Sequence, residues 1–179
     1  MTQGFCTFET AIGTGAVVWS EAGVLGIQLP EAAAARVAQR VRRRFPHAVS
    51  TAPPEFVLEA IDLMCALLQG QPADLSNVPL DMQRVPEFAQ RVYHVARTIG
   101  PGETLSYGQI ARRLGEPRMA REVGQALARN PFPIVVPCHR VVAANGKLGG
   151  FSATGGVATK QRLLEIEGAN VAWQLQLGA

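Results

Sequence analysis

Ser106-Tyr107-Gly108-Gln109-Ile110-Ala111-Arg112-Arg113-Leu114, continued by Gly115-Glu116-Pro117-Arg118 and then Met119 to Arg129, is the stretch from which the architecture can be read. A serine ahead of Ile110, Ala111 and Leu114 is an N-cap before an apolar stripe, so a short helix is predicted that ends at Gly115. Glu116-Pro117-Arg118 forms the turn. A second helix over Met119–Arg129 points Met119, Val123, Ala126 and Leu127 inward and leaves Arg118, Arg121, Gln125 and Arg129 on its other faces. Two short helices joined this way are organised either as a helix-turn-helix that enters a DNA groove or as a plain helical hairpin with a polar exterior.

Downstream, Asn130-Pro131 stops the second helix, and Ile134-Val135-Val136 predicts a buried strand-like run that ends at Pro137-Cys138-His139-Arg140. An isolated cysteine is usually a small buried hydrophobe, and a histidine beside it is usually structural. Here an apolar run delivers the thiol, Pro137 fixes the backbone before it, and a glycine-rich loop from Asn145 to Gly156 offers backbone that a ligand can approach closely. Adjacent residues do not share a face of a strand or a helix, so Cys138 and His139 need a turn or a bridging water to exchange a proton. The thiol ionises at neutral pH only with a base and a positive potential nearby. His139 is the available base, and Glu165 and Glu167, on a helix predicted over Val157–Glu167, are the nearest carboxylates to orient it.

Upstream, Phe88, Val92, Val95, Ala96 and Ile99 put one apolar stripe on a helix over Glu87–Ile99. Gln71–Pro86, with Pro72, Pro79 and Pro86, has the composition of a linker. The N-terminal part opens with three short strands around Phe5–Phe8, Ala16–Trp19 and Val24–Leu29. A helix is predicted over Glu31–Arg44 with Pro30 in its first turn, and another over Phe56–Leu68. Arg42-Arg43-Arg44 reads as the solvated end of the first of these, complementing its dipole. The expected domains are 1–82 and 83–179.

Apolar residues are 47% and charged residues 17% of 179, a globular composition with no run long enough to span a membrane. The net charge of +3 conceals an asymmetry. Residues 1–82 hold five basic and eight acidic side chains, net −3, whereas 83–179 hold twelve basic and six acidic, net +6. A basic second half suits a polyanion or is merely a basic surface. Cys6, Cys65 and Cys138 are odd in number and far apart, which argues against a disulfide framework or a zinc site. The chain reads as cytoplasmic.

Pro137-Cys138-His139-Arg140-Val141-Val142 resembles the active-site signature of the O6-alkylguanine-DNA alkyltransferases, the methylated-DNA–protein-cysteine methyltransferases. The resemblance runs over about residues 84–168. It extends back through Asn130-Pro131-Phe132-Pro133, Arg121-Glu122-Val123-Gly124 and Ser106 to Ala111, and forward to Gly155-Gly156, Lys160 and Leu163 to Gly168. It implies an α+β chain with a ribonuclease-H-like N-terminal domain and a winged-helix-like C-terminal domain. Cys138 would be the alkyl acceptor, His139 its base through a water, and Glu167 the acid that orients His139. Asn130 would be a hinge, and Tyr107 would drive rotation of the target nucleotide and donate a proton to the leaving guanine. Arg121 would be the finger that fills the gap in the duplex, entering by the minor groove, with Ala120 and Gly124 allowing close approach. Pro133, Phe151 and Ser152, with the backbone carbonyls of Cys138 and Val141, would line the base pocket.

The implied partner is double-stranded DNA carrying O6-alkylguanine, with O4-alkylthymine a second substrate, and the implied actor is a monomer that needs no cofactor and no metal. The pocket loop departs from the family, reading Phe151-Ser152-Ala153-Thr154-Gly155-Gly156 where the best-known members carry Tyr-Ser-Gly-Gly. Two other functions fit parts of the pattern. One is a module that binds alkylated DNA without transfer, against which the retained Cys138 argues, and the other is a cysteine hydrolase that would turn over repeatedly without DNA.

Overall fold

A computed structural model describes residues 3–169. They form two compact units, one comprising the residues up to Arg84 together with Pro131–Val135, the other Val85–Asn130 together with the residues from Val136 onward.

In the first unit β1 (Gln3–Thr10), β2 (Gly13–Ser20) and β3 (Gly23–Glu31) form an antiparallel meander. Helix α1 (Ala34–Arg44) then carries the chain to β4 (Ala48–Ser50), which pairs parallel to β1 and completes the order β3-β2-β1-β4. Such a parallel return needs a crossover, which α1 supplies. Its Val37 and Val41 pack on Phe5, Ala16 and Val18. The predicted helix start at Glu31 is corrected by the structure. Glu31 pairs with Thr14, so the ladder runs on through Pro30, and the helix begins at Ala34. Arg42, Arg43 and Arg44 are exposed at the end of α1, as the dipole argument requires. Helix α2 (Glu55–Leu68) packs on β1 and β2.

The proline-rich stretch after α2 is not a slack tether. Val24 N–H donates to the Pro79 carbonyl at 2.9 Å and Asp81 N–H to the Val24 carbonyl at 2.8 Å. Ser20 Oγ donates to the buried Asp81 carboxylate at 2.6 Å. A second stitch, Ile27 N–H to the Pro131 carbonyl at 2.9 Å, holds the returning Pro131–Val135 segment within this unit. The strand-like run predicted there is instead a turn, with Ile134 at φ 75°. Ile134, Val135 and Val136 are all buried, and burial alone does not distinguish an extended run from a turn.

In the second unit α3 (Glu87–Ala96) precedes β5 (Leu105–Ser106), α4 (Tyr107–Arg113) and α5 (Ala120–Ala128). A single 3-10 turn over Cys138–Arg140 leads into β6 (Val141–Val142), and α6 (Gly156–Ile166) follows the glycine-rich loop. The fold class is thus α+β, with a sheet domain and a mainly helical one. Ser106 and Gln109 form a complete capping box, Gln109 N–H to Ser106 Oγ at 3.1 Å and Ser106 N–H to Gln109 Oε1 at 2.7 Å. Gly115 takes φ 76°, the left-handed conformation that closes a helix. Tyr93 Oη donates to the Ala126 carbonyl at 2.9 Å, tying α3 to α5. Among the described residues no helix is long and apolar enough to cross a membrane.

Ser106→Ala removes one half of the capping box while leaving the buried face of α4 intact. It is expected to lower the unfolding free energy by about 1 kcal/mol, measured by urea denaturation.

Candidate active site

The two-residue ladder between β5 and β6 determines what meets what. Leu105 pairs with Val141 and Ser106 with Val142, in parallel. Tyr107, the first residue of α4, therefore starts beside the 3-10 turn that carries Cys138 and His139. That turn answers the geometric problem of adjacent reactive residues, because Cys138 lines a cavity while His139 is directed into the interior, 1% exposed. The cavity, about 320 Å³, is lined by Tyr107, by Gly124, Leu127 and Ala128 of α5, by Cys138, and by Gly150, Phe151 and Ser152 of the glycine-rich loop.

His139 Nε2 lies 2.8 Å from Glu167 Oε1. Arg140 reaches the same carboxylate with two donors, Nε to Oε2 at 2.9 Å and NH2 to Oε1 at 2.8 Å, and its NH1 donates to the Ile99 carbonyl at 2.5 Å. Burial pushes the Glu167 carboxyl up, but the hydrogen bonds and charges of His139 and Arg140 outweigh it and hold the group down at about 2. His139 is pushed down, first by burial and then by the charges of Arg140 and Lys160, which together outweigh the pull of Glu167. It is a neutral imidazole. Because an ionised carboxylate can only accept, Glu167 takes the proton of Nε2–H and leaves Nδ1 as the free base. Nδ1 is buried and has no hydrogen-bond partner in the protein. Of the two carboxylates suggested by the sequence, Glu165 is exposed and accepts from Gln161 Nε2 at 3.0 Å instead.

Burial pushes the Cys138 thiol up. Opposing it are a hydrogen bond from the Asn130 side chain, the charge of Lys160, and the backbone N–H groups of Cys138 and His139. Asn130 Nδ2 also donates to the Val136 carbonyl at 2.9 Å, which fixes the end of α5 to the segment entering the 3-10 turn. Burial and then the Cys138 charge push the Tyr107 phenol up, so it stays protonated and is a donor. A Cβ on Gly124 would meet the Tyr107 ring at 3.7 Å, so this glycine backs the tyrosine in ordinary van der Waals contact. Ser152 Oγ donates to the Ala128 carbonyl at 2.6 Å and latches the loop to α5.

Other predicted residues lie elsewhere. Arg121 is exposed on α5 next to the half-buried Ala120, Pro133 belongs to the first unit, and Val141 contributes a carbonyl that accepts from Lys160 Nζ at 2.5 Å. The sequence reading passed over the roles of Arg140 and Lys160. A signal was available for the second, since Lys160, Leu163, Leu164 and Glu167 recur at i, i+3, i+4 and i+7. Two charged residues thus occupy the core-facing stripe of α6. Among the described residues no group of three His, Cys, Asp or Glu could hold a metal ion.

Residues 87–169 match the 6-O-methylguanine DNA methyltransferase DNA-binding domain. A methylated-DNA–protein-cysteine methyltransferase of Methanothermobacter thermautotrophicus is 36% identical over 159 residues, covering 88% of this chain and 81% of that protein. Another, from Mycolicibacterium paratuberculosis, is 53% identical over 76 residues, 42% of this chain and 45% of that protein. Among solved structures, Mycobacterium tuberculosis OGT in complex with DNA superposes with a TM-score of 0.73 at 35% identity over 92% of each chain. The O6-methylguanine-DNA methyltransferase of Pyrococcus kodakaraensis gives 0.72 at 26% identity over 94% of this chain and 100% of that one. The buried His139–Glu167 pair behind a cavity-lining cysteine and the similarity along most of the chain agree, and the chain belongs to the methylated-DNA–protein-cysteine methyltransferase family.

Proposed function

We propose that this protein repairs DNA by direct reversal, transferring the alkyl group of O6-alkylguanine in duplex DNA irreversibly to Cys138. The observation that carries this reading is the buried Glu167–His139 pair, whose unpartnered Nδ1 stands next in sequence to a thiol on the wall of a cavity. An O6-alkyl group is shielded inside a stacked duplex, so the nucleotide must rotate out at a cost of a few kcal/mol, least for a poorly paired lesion. Arg121, Ala120 and Gly124 on α5 would face the DNA, with Arg121 taking the place of the extruded base. Phe151, Ser152 and the carbonyls of Cys138 and Val141 would receive the guanine, and Pro133 would contribute to its recognition if the family pattern holds.

His139 takes the thiol proton through one bridging water, and the sulfur attacks the alkyl carbon. The S–C bond forms as the C–O6 bond breaks, its electron pair moves into the guanine ring, and Tyr107 supplies the proton that neutralises the departing base. Asn130 steadies the sulfur through its hydrogen bond. Thioethers do not hydrolyse, so each molecule acts once. The same pocket would accept O4-alkylthymine. No step calls on a cofactor, and three unpaired thiols suit a monomer working in the reducing cytoplasm.

Incubation with a duplex containing O6-methylguanine is expected to add the mass of one methyl group to the intact protein, and Cys138→Ser is expected to add none. An unmodified protein, or repeated release of product, would overturn the reading in favour of binding alone or hydrolysis.

Glu167→Gln removes the charge that orients His139 and strands the buried Arg140. Single-turnover transfer is expected to slow by roughly 10²-fold, and unfolding free energy to fall by about 3 kcal/mol. Glu165→Gln is expected to change neither.

A further inference from the structure

Lys160 is a charged side chain buried in the second unit that the proposed chemistry leaves unused. It is 0% exposed. Lysine is almost never fully buried unless paired, and among the described residues its ammonium meets no carboxylate. Nζ donates to the Val141 carbonyl at 2.5 Å and lies 6.0 Å from the ring centroids of Tyr107 and Phe151, both on the wall of the cavity that Cys138 lines.

The charges around it can be tallied group by group. The 3-10 turn brings Cys138, His139 and Arg140, α4 brings Tyr107, and α6 itself brings Glu167. Glu167 and Arg140 cancel through their two-donor ion pair. His139 is held neutral and Tyr107 is held protonated. Among the described residues that leaves one ammonium without a compensating charge, and the titratable group whose charge it feels is the Cys138 thiol.

We propose that Lys160 is a positioning residue for alkyl transfer, its buried ammonium being the counter-charge that favours ionisation of Cys138. The proposal rests on Cys138 being the alkyl acceptor and adds the source of its reactivity. A thiol with a higher-than-ordinary ionisation point would be thiolate in well under a few per cent of molecules at neutral pH. A fixed positive charge in a site screened from water is the means of recovering that population. Lys160 exchanges no proton in the step. When His139 takes the thiol proton through the bridging water the proton stays on its ring, so the cluster keeps one net positive charge while the new thiolate is faced by the ammonium and the imidazolium together. After transfer the sulfur is a neutral thioether and the ammonium is again uncompensated. The interaction is mutual, so Lys160 feels Cys138 as Cys138 feels Lys160. In agreement, burial holds Lys160 down at about 8 against an upward pull from Cys138.

The test reads the thiolate without DNA. In a protein carrying Cys6→Ser and Cys65→Ser, Cys138 is the only thiol, and its rate of alkylation by iodoacetamide against pH reports its ionisation. Adding Lys160→Met is expected to move the midpoint up by at least one pH unit and so to slow the reaction at least tenfold below the midpoint. A profile that superimposes on that of the parent overturns the proposal. A second measurement stands if Lys160→Met does not fold. NMR titration of the Lys160 ammonium is expected to show a lower midpoint in Cys138→Ser than in the parent, and equal midpoints overturn the proposal. Neither readout uses alkylated DNA, so failure of the repair reading would be seen separately, in the mass experiment.

Discussion

The carboxylate of Glu167 is shared by an imidazole and a guanidinium, with three contacts of 2.8, 2.9 and 2.8 Å and 2% of its side chain exposed. Burying an anion is expensive unless its lone pairs are satisfied, and here two partners satisfy them. The sharing has a chemical consequence. If His139 alone faced Glu167, the carboxylate would draw a proton onto the ring and make it imidazolium. Burial first, and then the charges of Arg140 and Lys160, outweigh that pull, so the ring is oriented by a hydrogen bond but remains neutral. An orienting acid and a neutral base are what a proton relay to a thiol needs. The polarity of the rest of the site follows from this pairing.

The fold serves the pairing with few elements. The stripe of α6 that would ordinarily be apolar carries Lys160 at one end and Glu167 at the other, with Leu163 and Leu164 between them in the core. A two-residue parallel ladder sets Tyr107 beside the cysteine turn, and a complete capping box fixes the start of α4 where the tyrosine leaves it. Asn130, at the end of α5, ties the helix proposed to face DNA to the segment entering the turn. Positioning of this kind, by short elements whose ends are each hydrogen-bonded, keeps the cavity-lining thiol and its buried base in register without a large sheet beneath them.

Much of this was legible in the residues. Alternation located β1 to β3, and the capping serine and closing glycine bounded α4 within a residue. The adjacency of Cys138 and His139 called for a turn or a bridging water, and the structure has a 3-10 turn there. What escaped was of two kinds. Where burial alone sets the composition, as at Ile134-Val135-Val136, an apolar run reads as a strand although the backbone turns through a positive φ. Where a residue's role depends on partners distant in sequence, local pattern is silent. Glu165 and Glu167 are equivalent candidates until the phase of α6 is known, and Arg140 reads as a basic residue of the motif until Glu167 is placed 27 positions away. The proline-rich stretch looked like a linker for the same reason, since its anchors are Ser20 and Val24.

Nitrogen-15 NMR of the His139 ring at neutral pH tests the charge state on which the relay depends. The expected spectrum shows a neutral imidazole with its proton on Nε2, toward Glu167, and an unprotonated Nδ1. A doubly protonated ring, or a neutral one with its proton on Nδ1, would mean that no base faces the thiol and would contradict the role given to this cluster.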